Sequence, residues 1–413
     1  MSGDSLDCRG RPAMQAGRMI IERYNQALPQ ERFHARVDSY PPALRVWLLE
    51  AGIRHRADLP TAAEDSWCLD VERASSPAQG SVPGVHHVIS DRSSVWACER
   101  AQRVARIDIE TQAVVATSAI AHAASHLVHD AGTDRLFVAD AGDNAMLALR
   151  ASDLAVLQRW PAPGRPQLPV VSVDGIVCVT GSDGTLTIAR PSRGRYVEQT
   201  IEVGSCPHDP VLTVDGAYAF VPCAGAAELV KVRLSDGAIA GRCAVGAGPT
   251  HLARDPGGTH IYSANSWDGT VSRVDLDGQN VLHAPSGMWA HAIDITPDGR
   301  WLWTANFYDD TVAVFDTATL TRVALLPTER YAHGLDISPD GRYVVATGFS
   351  STHVRVYDAA RHVELARIEV GEGSSHTAFS ADASRAFLGC SVSDHVACID
   401  LEHSSLTARL KLH

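Results

Sequence analysis

A mainly β fold, an eight-bladed propeller preceded by a small α/β (βαβα) domain, is what the sequence predicts. Three observations carry the prediction. The chain after residue 85 repeats itself, with equivalent positions at 87, 126, 167, 208, 251, 291, 333 and 376, a spacing of 39 to 43 residues. Each unit holds four short β-prone runs separated by turn residues, as in HAIDITPDGRWLWTANFYDDTVAVFD from His291 and HGLDISPDGRYVVATGFSSTHVRVYD from His333. Turn formers are abundant, with 32 Gly and 21 Pro in 413 residues. Four strands per unit of this length is a propeller blade, whose sheet buries both faces only by stacking radially between neighbours. The last run, 406–412, completes the eighth unit, so eight blades are expected and a seven-bladed ring is the alternative.

Ahead of the repeats the rules differ. Residues 1–60 form the small domain. A strand is expected over Ser5–Cys8, a helix over Met14–Leu28 with Met19, Ile20, Tyr24 and Leu28 on one side, and a strand over Phe33–Val37. A second helix is expected over Ala43–Glu50, opened by Pro41-Pro42 and closed at Gly52. Residues 61–84, ending in SSPAQGSVPG, read as a linker, and 85–413 as the propeller.

Composition bounds the function. The formal charge is -12, from 36 Lys and Arg against 48 Asp and Glu, which argues against nucleic acid as a partner. No apolar run approaches the roughly 18 residues of a membrane span. The N-terminus lacks a secretory pattern, and nine Cys without a CxxC pair suit reduced thiols, so a cytoplasmic location is expected.

The 19 His are unevenly placed. His87, His126, His208, His251, His291, His333 and His376 occupy one position in seven units, and Gln167 holds it in the third. That position opens the first strand, which lines the axis of a propeller, so the imidazoles are expected to converge there. A turn role, each ring bonding neighbouring backbone, is the structural alternative. Neutral imidazoles are ligands for copper, zinc, iron or nickel, and seven exceed what one ion takes, so a multinuclear site is expected. His86, Gln167 and Cys206 are accessory candidates. His86 points away from His87 on a regular strand, so either could be the ring member. The same alternation sends Asp294 and Asp336 to the face opposite His291 and His333. Trp289, Phe307, Tyr308 and Tyr331 are candidates for a pocket wall.

Two family resemblances add to this. SANSWDGTVSRVD and TANFYDDTVAVFD resemble the YVTN propeller repeats, which are related to lactonase-like propellers and to the haem-d₁ domain of nitrite reductase. Leu6-Asp7-Cys8-Arg9-Gly10 resembles the opening of the TusA-like sulfur carriers. Ala13 and Met14 stand where that family has its carrier Cys and Pro, so the resemblance implies the fold without the persulfide chemistry. The His ring resembles nitrous oxide reductase in arrangement alone, and thiocyanate dehydrogenase is a second copper precedent on a propeller.

The function expected from the sequence is a copper-dependent oxidoreductase acting on a small sulfur or nitrogen compound at the axis, with a redox or sulfur-transfer protein as partner. The alternatives are a protein binding a haem d₁-like tetrapyrrole and a non-catalytic interaction scaffold.

Overall fold

The computed structural model describes residues 5–9, 19–20, 32–37, 55–58, 67–72, 84–99, 103–119, 123–130 and 132–412. They fall into two units, Met1–Pro83 and Gly84–His413. Among the described residues no helix is long and apolar enough to cross a membrane.

In the first unit, β1 (Ser5–Asp7), β2 (Arg32–Val37), β3 (His55–Asp58) and β4 (Trp67–Glu72) form one sheet in the order β1-β2-β4-β3. Strands β1 and β2 are parallel, so a crossover joins them, and Met19 and Ile20 lie in helical conformation on that connection. The rest of Met14–Leu28 and all of Ala43–Glu50 lie outside the described residues. Cys8, Ile20, Ala35, Val37, Leu69 and Val71 are buried. Strand β4 corrects the expected linker: Leu69 and Val71 alternate inward, a short signal masked by the Ala, Ser and Pro around it.

The second unit is an eight-bladed β-propeller. Its eight antiparallel sheets of four strands cover 85–119, 124–161, 170–202, 211–244, 249–285, 290–327, 332–369 and 374–410, here blades 1 to 8. The first strand of each blade touches the first strands of its neighbours, which places these strands innermost around the axis. The second strand of each blade is almost wholly buried, as in Trp301–Asn306, because both of its faces meet another blade. Trp303, Val312 and Val314 of blade 6 share one core with Leu335, Val344, Ala346 and Tyr357 of blade 7. Outermost strands such as Ala113–Ala119 alternate between exposed and half-buried.

The ring closes without strand exchange, each blade being one contiguous stretch of chain. At the seam between blades 8 and 1, Ser375 Oγ donates to the His86 carbonyl at 2.7 Å and Ser90 Oγ to that of Phe379 at 2.5 Å. Arg385 Nη1 donates to the Ile109 carbonyl at 2.6 Å, and Arg103 Nη1 to that of Leu412 at 3.1 Å. Val85 and Val88 pack with Phe387, Val396 and Cys398 beneath these bonds.

The inner strands are irregular in a consistent way. Pairing with the second strand shifts register at Val85/His87, Pro249/His251, Ala290/Ile293, Ala332/Leu335 and Ser374/Thr377, each a bulge at the aligned His. In blade 7 the bulge holds Gly334, whose N–H donates to Thr347 Oγ1 at 2.9 Å. A Cβ on Gly334 would overlap the Ser375 carbonyl oxygen of blade 8. Gly334→Ala is therefore expected to force the two inner strands apart and destabilise the propeller by about 3 kcal/mol, as read by urea denaturation. A cost below 0.5 kcal/mol would show that the approach is not constrained.

Candidate functional site

Bulges deliver the aligned side chains of blades 1, 5, 6, 7 and 8 to the axis, and His208 precedes the two-residue inner strand of blade 4. Ring centroids run in an arc: His208 to His251 at 4.9 Å, His251 to His291 at 4.4 Å, and His291 to His333 at 4.8 Å. From His333 the arc passes to His376 at 6.0 Å, to His87 at 4.6 Å and on to His126 at 4.9 Å. It is interrupted only at blade 3, where Gln167 turns its amide toward Ser182 Oγ at 3.4 Å. All seven sequence-identified imidazoles thus meet.

His86 joins them, which corrects the expectation that one of His86 and His87 points away. The bulge breaks the alternation at this point, and the His86 ring lies 4.9 Å from His126 and 5.4 Å from His376. The same irregularity places Asp294 and Asp336 on the side of His291 and His333. Cys206 sits in a left-handed turn (φ 52°) with Ser205 Oγ at 3.8 Å from its sulfur, and belongs to neither of the close donor groups described next.

Two such groups stand out within the arc. One nitrogen each from His86, His126 and His376 lies within 4.8 Å of the others, and so do donor atoms of His208, Asp209 and His251. Asp209 escaped the sequence reading, although it is the one acidic residue directly following a ring position. It is 8% exposed, with Oδ2 3.2 Å from His251 Nε2 and Oδ1 3.5 Å from His208 Nδ1. Burial opposes its charge, but the two imidazoles outweigh burial and hold the carboxyl well below its ordinary range.

The imidazoles respond oppositely to enclosure. Burial lowers His87 to about 4 and takes His291 and His376 well below their ordinary value. His251 is also lowered by burial, though Asp209 pulls the other way. These rings are neutral at pH 7. The largest charge effects on them come from Asp209 and from one another.

Farther along the inner strands, Asp294 Oδ2 accepts from the Ile337 N–H of blade 7 at 2.9 Å, and Asp336 Oδ2 from the Thr377 N–H of blade 8 at 3.0 Å. Burial raises Asp294 to about 6, and burial with the nearby Asp294 raises Asp336 to about 7. Aromatic side chains flank the same blades. Phe307 stacks on Tyr331 at 5.2 Å, lies 6.2 Å from His291, and Phe349 lies 5.8 Å from His333. Trp289 and Tyr308 pack on each other at 5.7 Å beside them.

Comparison with known proteins points to one class for part of this surface. Residues 187–363, less than half of the chain, match the family described as Lactonase, 7-bladed beta-propeller. That stretch holds His208, Asp209, His251, His291 and His333. A 6-phosphogluconolactonase of Erwinia tasmaniensis is 36% identical over 80 residues, 17% of this chain and 24% of that protein. One from Sodalis glossinidius is 29% identical over 170 residues, 35% of this chain and 50% of that protein. The chain thus spans about a quarter to a half of the length of these curated relatives.

Among solved structures, hydrazine synthase of Kuenenia stuttgartiensis superposes with a TM-score of 0.56 at 17% identity, over 67% of this chain and 95% of that one. A dihydro-haem d₁ dehydrogenase in complex with DHE gives 0.57 at 19%, over 69% and 66%. At these identities the likeness shows the propeller fold alone. The expected copper-dependent oxidoreductase is overturned by the lactonase match and by the relatives' names, which belong to lactone hydrolases. An axial imidazole ring does not by itself select redox chemistry.

The raised carboxyl of Asp336 has a testable effect on stability. Folding favours its protonated form, so its contribution is complete below the unfolded value near 3.8 and is lost as pH rises through about 7. Asp336→Asn keeps an acceptor for Thr377 N–H and removes the charge. It is expected to stabilise the protein at pH 8 by on the order of 2 kcal/mol and to leave it unchanged at pH 4, by urea denaturation. The buried imidazoles act in the opposite sense, their stabilisation being lost as pH falls from 6.5 toward about 4.

Proposed function

We propose that the protein hydrolyses a lactone at the axial group formed by His208, Asp209 and His251. The observation that carries this reading is the buried Asp209 carboxylate between two imidazoles, inside the stretch that matches the lactonase family. His251 donates its Nε2 hydrogen to Asp209, which leaves Nδ1, 3.3 Å from Thr250 Oγ1, as the basic nitrogen. That nitrogen takes a proton from water as the water attacks the lactone carbonyl, and Asp209 stabilises the imidazolium that forms. Collapse of the tetrahedral intermediate breaks the ring C–O bond. The imidazolium returns its proton to the departing alkoxide, and the product is the open hydroxy acid.

The surroundings favour a sugar-type lactone. Phe307, Tyr331 and Phe349 offer an apolar wall for a ring face, and the Arg330 guanidinium lies 5.2 Å over the Tyr331 ring. For the N-terminal unit we propose a TusA-like fold without sulfur carriage, supported by the Leu6–Gly10 motif and by the complete burial of Cys8.

The test is hydrolysis of gluconolactone, 6-phosphogluconolactone and a simple aliphatic lactone, followed by pH-stat. A sugar lactone is expected to be preferred to the aliphatic one, and Asp209→Asn or His251→Gln to lower kcat/KM by about 100-fold or more. Burial lowers the His251 ring, so the acid-side fall in kcat/KM is expected to lie below the ordinary imidazole value near 6.5. Rates equal to the uncatalysed reaction for all three lactones would end this reading.

A further inference from the structure

The part of the His arc that lies outside the lactonase-matched stretch has its own chemistry. His86 and His87 come from blade 1, His126 from blade 2 and His376 from blade 8. These are the three blades around the seam where the two ends of the propeller chain meet. One nitrogen from each of His86, His126 and His376 lies within 4.8 Å of the others. The His87 ring is 4.6 Å from His376 and 4.9 Å from His126. His87 is 6% exposed, and its Nδ1 has no hydrogen-bond partner among the described residues. A polar atom enclosed in this way costs about 1–3 kcal/mol unless something occupies it.

From this arrangement we infer that His86, His126 and His376, with His87 as fourth donor, bind a divalent transition-metal ion of the Zn²⁺ class, which clips blade 8 to blades 1 and 2. A nitrogen-only donor set disfavours Mg²⁺ and Ca²⁺, which take oxygen, and suits Zn²⁺, Co²⁺, Ni²⁺ or Cu²⁺. Four imidazoles make a closed tetrahedral shell, the form of a structural zinc site, with Zn–N distances near 2.0–2.1 Å. The donor atoms of His86, His126 and His376 lie within 4.8 Å of one another, against about 3.3 Å between nitrogens of such a shell, so binding requires the rings to rotate inward. The location gives the ion a purpose. No strand is exchanged at the seam, so closure rests on side-chain bonds and packing. A cross-link there joins segments about 250 to 290 residues apart in sequence, where restricting the unfolded chain has a large effect. The inference is independent of the proposed lactone hydrolysis.

The experiment uses the full chain, stripped with a chelator and titrated calorimetrically with Zn²⁺ alone. The wild type is expected to bind Zn²⁺ and to gain about 5 °C in Tm at a free concentration about 100 times Kd. Asp209→Asn, which removes the carboxylate of the other donor group, is expected to retain one Zn²⁺ per chain. Adding His126→Gln or His376→Gln to it should weaken that binding by more than about 100-fold, the upper end for loss of a merely orienting neighbour. Equal Zn²⁺ affinity with and without His126→Gln, or loss of all binding on Asp209→Asn alone, would overturn the assignment. Should the His variants fail to fold, Co²⁺ bound to Asp209→Asn decides. Intense visible bands of a four-coordinate ion support the site, and the weak spectrum of a six-coordinate ion, or no binding, refutes it.

Discussion

The axial site depends on an interruption of regular β pairing. A strand that alternated without a break would present one residue in two to the channel and would bury the others between blades. The extra residue at the start of the inner strands changes that count. It lets His86 and His87 both reach the axis, and it returns Asp294 and Asp336 to the side of His291 and His333.

Enclosure then decides what these groups can do. Imidazoles packed this closely cannot all carry charge, and burial with mutual repulsion keeps His291 and His376 neutral. A neutral ring is a base or a ligand. Asp209 keeps its charge because His208 and His251 solvate it. For Asp294 only backbone N–H donors oppose burial, and for Asp336 Thr377 and His333 do not outweigh burial and the nearby Asp294, so both lean toward the protonated form. The channel therefore contains one firmly ionised carboxylate, and it sits on the blades that resemble lactonases.

Much of this was legible in the sequence. The spacing of about 41 residues encodes the blade, and the recurrence of His at one phase encodes the ring, because both are periodic and periodicity survives without coordinates. What is not periodic was harder to read. A bulge leaves no residue-type signature here, so the paired reach of His86 and His87 was hidden. Asp209 is a singular residue in one unit and has no echo to draw attention to it. Strand β4 is a six-residue run among linker-like flanks, and its pairing with β2 is a long-range contact. Chemistry was the least legible, since neutral imidazoles serve metals, acids and bases alike.

Because every blade is a contiguous segment whose four strands pair only within that segment, blade number is not locked by the chain ends. A ring closed by a borrowed strand must keep its first and last units matched, and inserting a unit disturbs both. Here a whole unit can be duplicated or deleted anywhere, provided that the curvature between neighbouring sheets adjusts. One recombination event then suffices to change the number of units by one. That is a route by which an eight-membered ring comes to share a family profile with seven-membered ones, and by which one position, Gln167, comes to interrupt an inherited series of histidines.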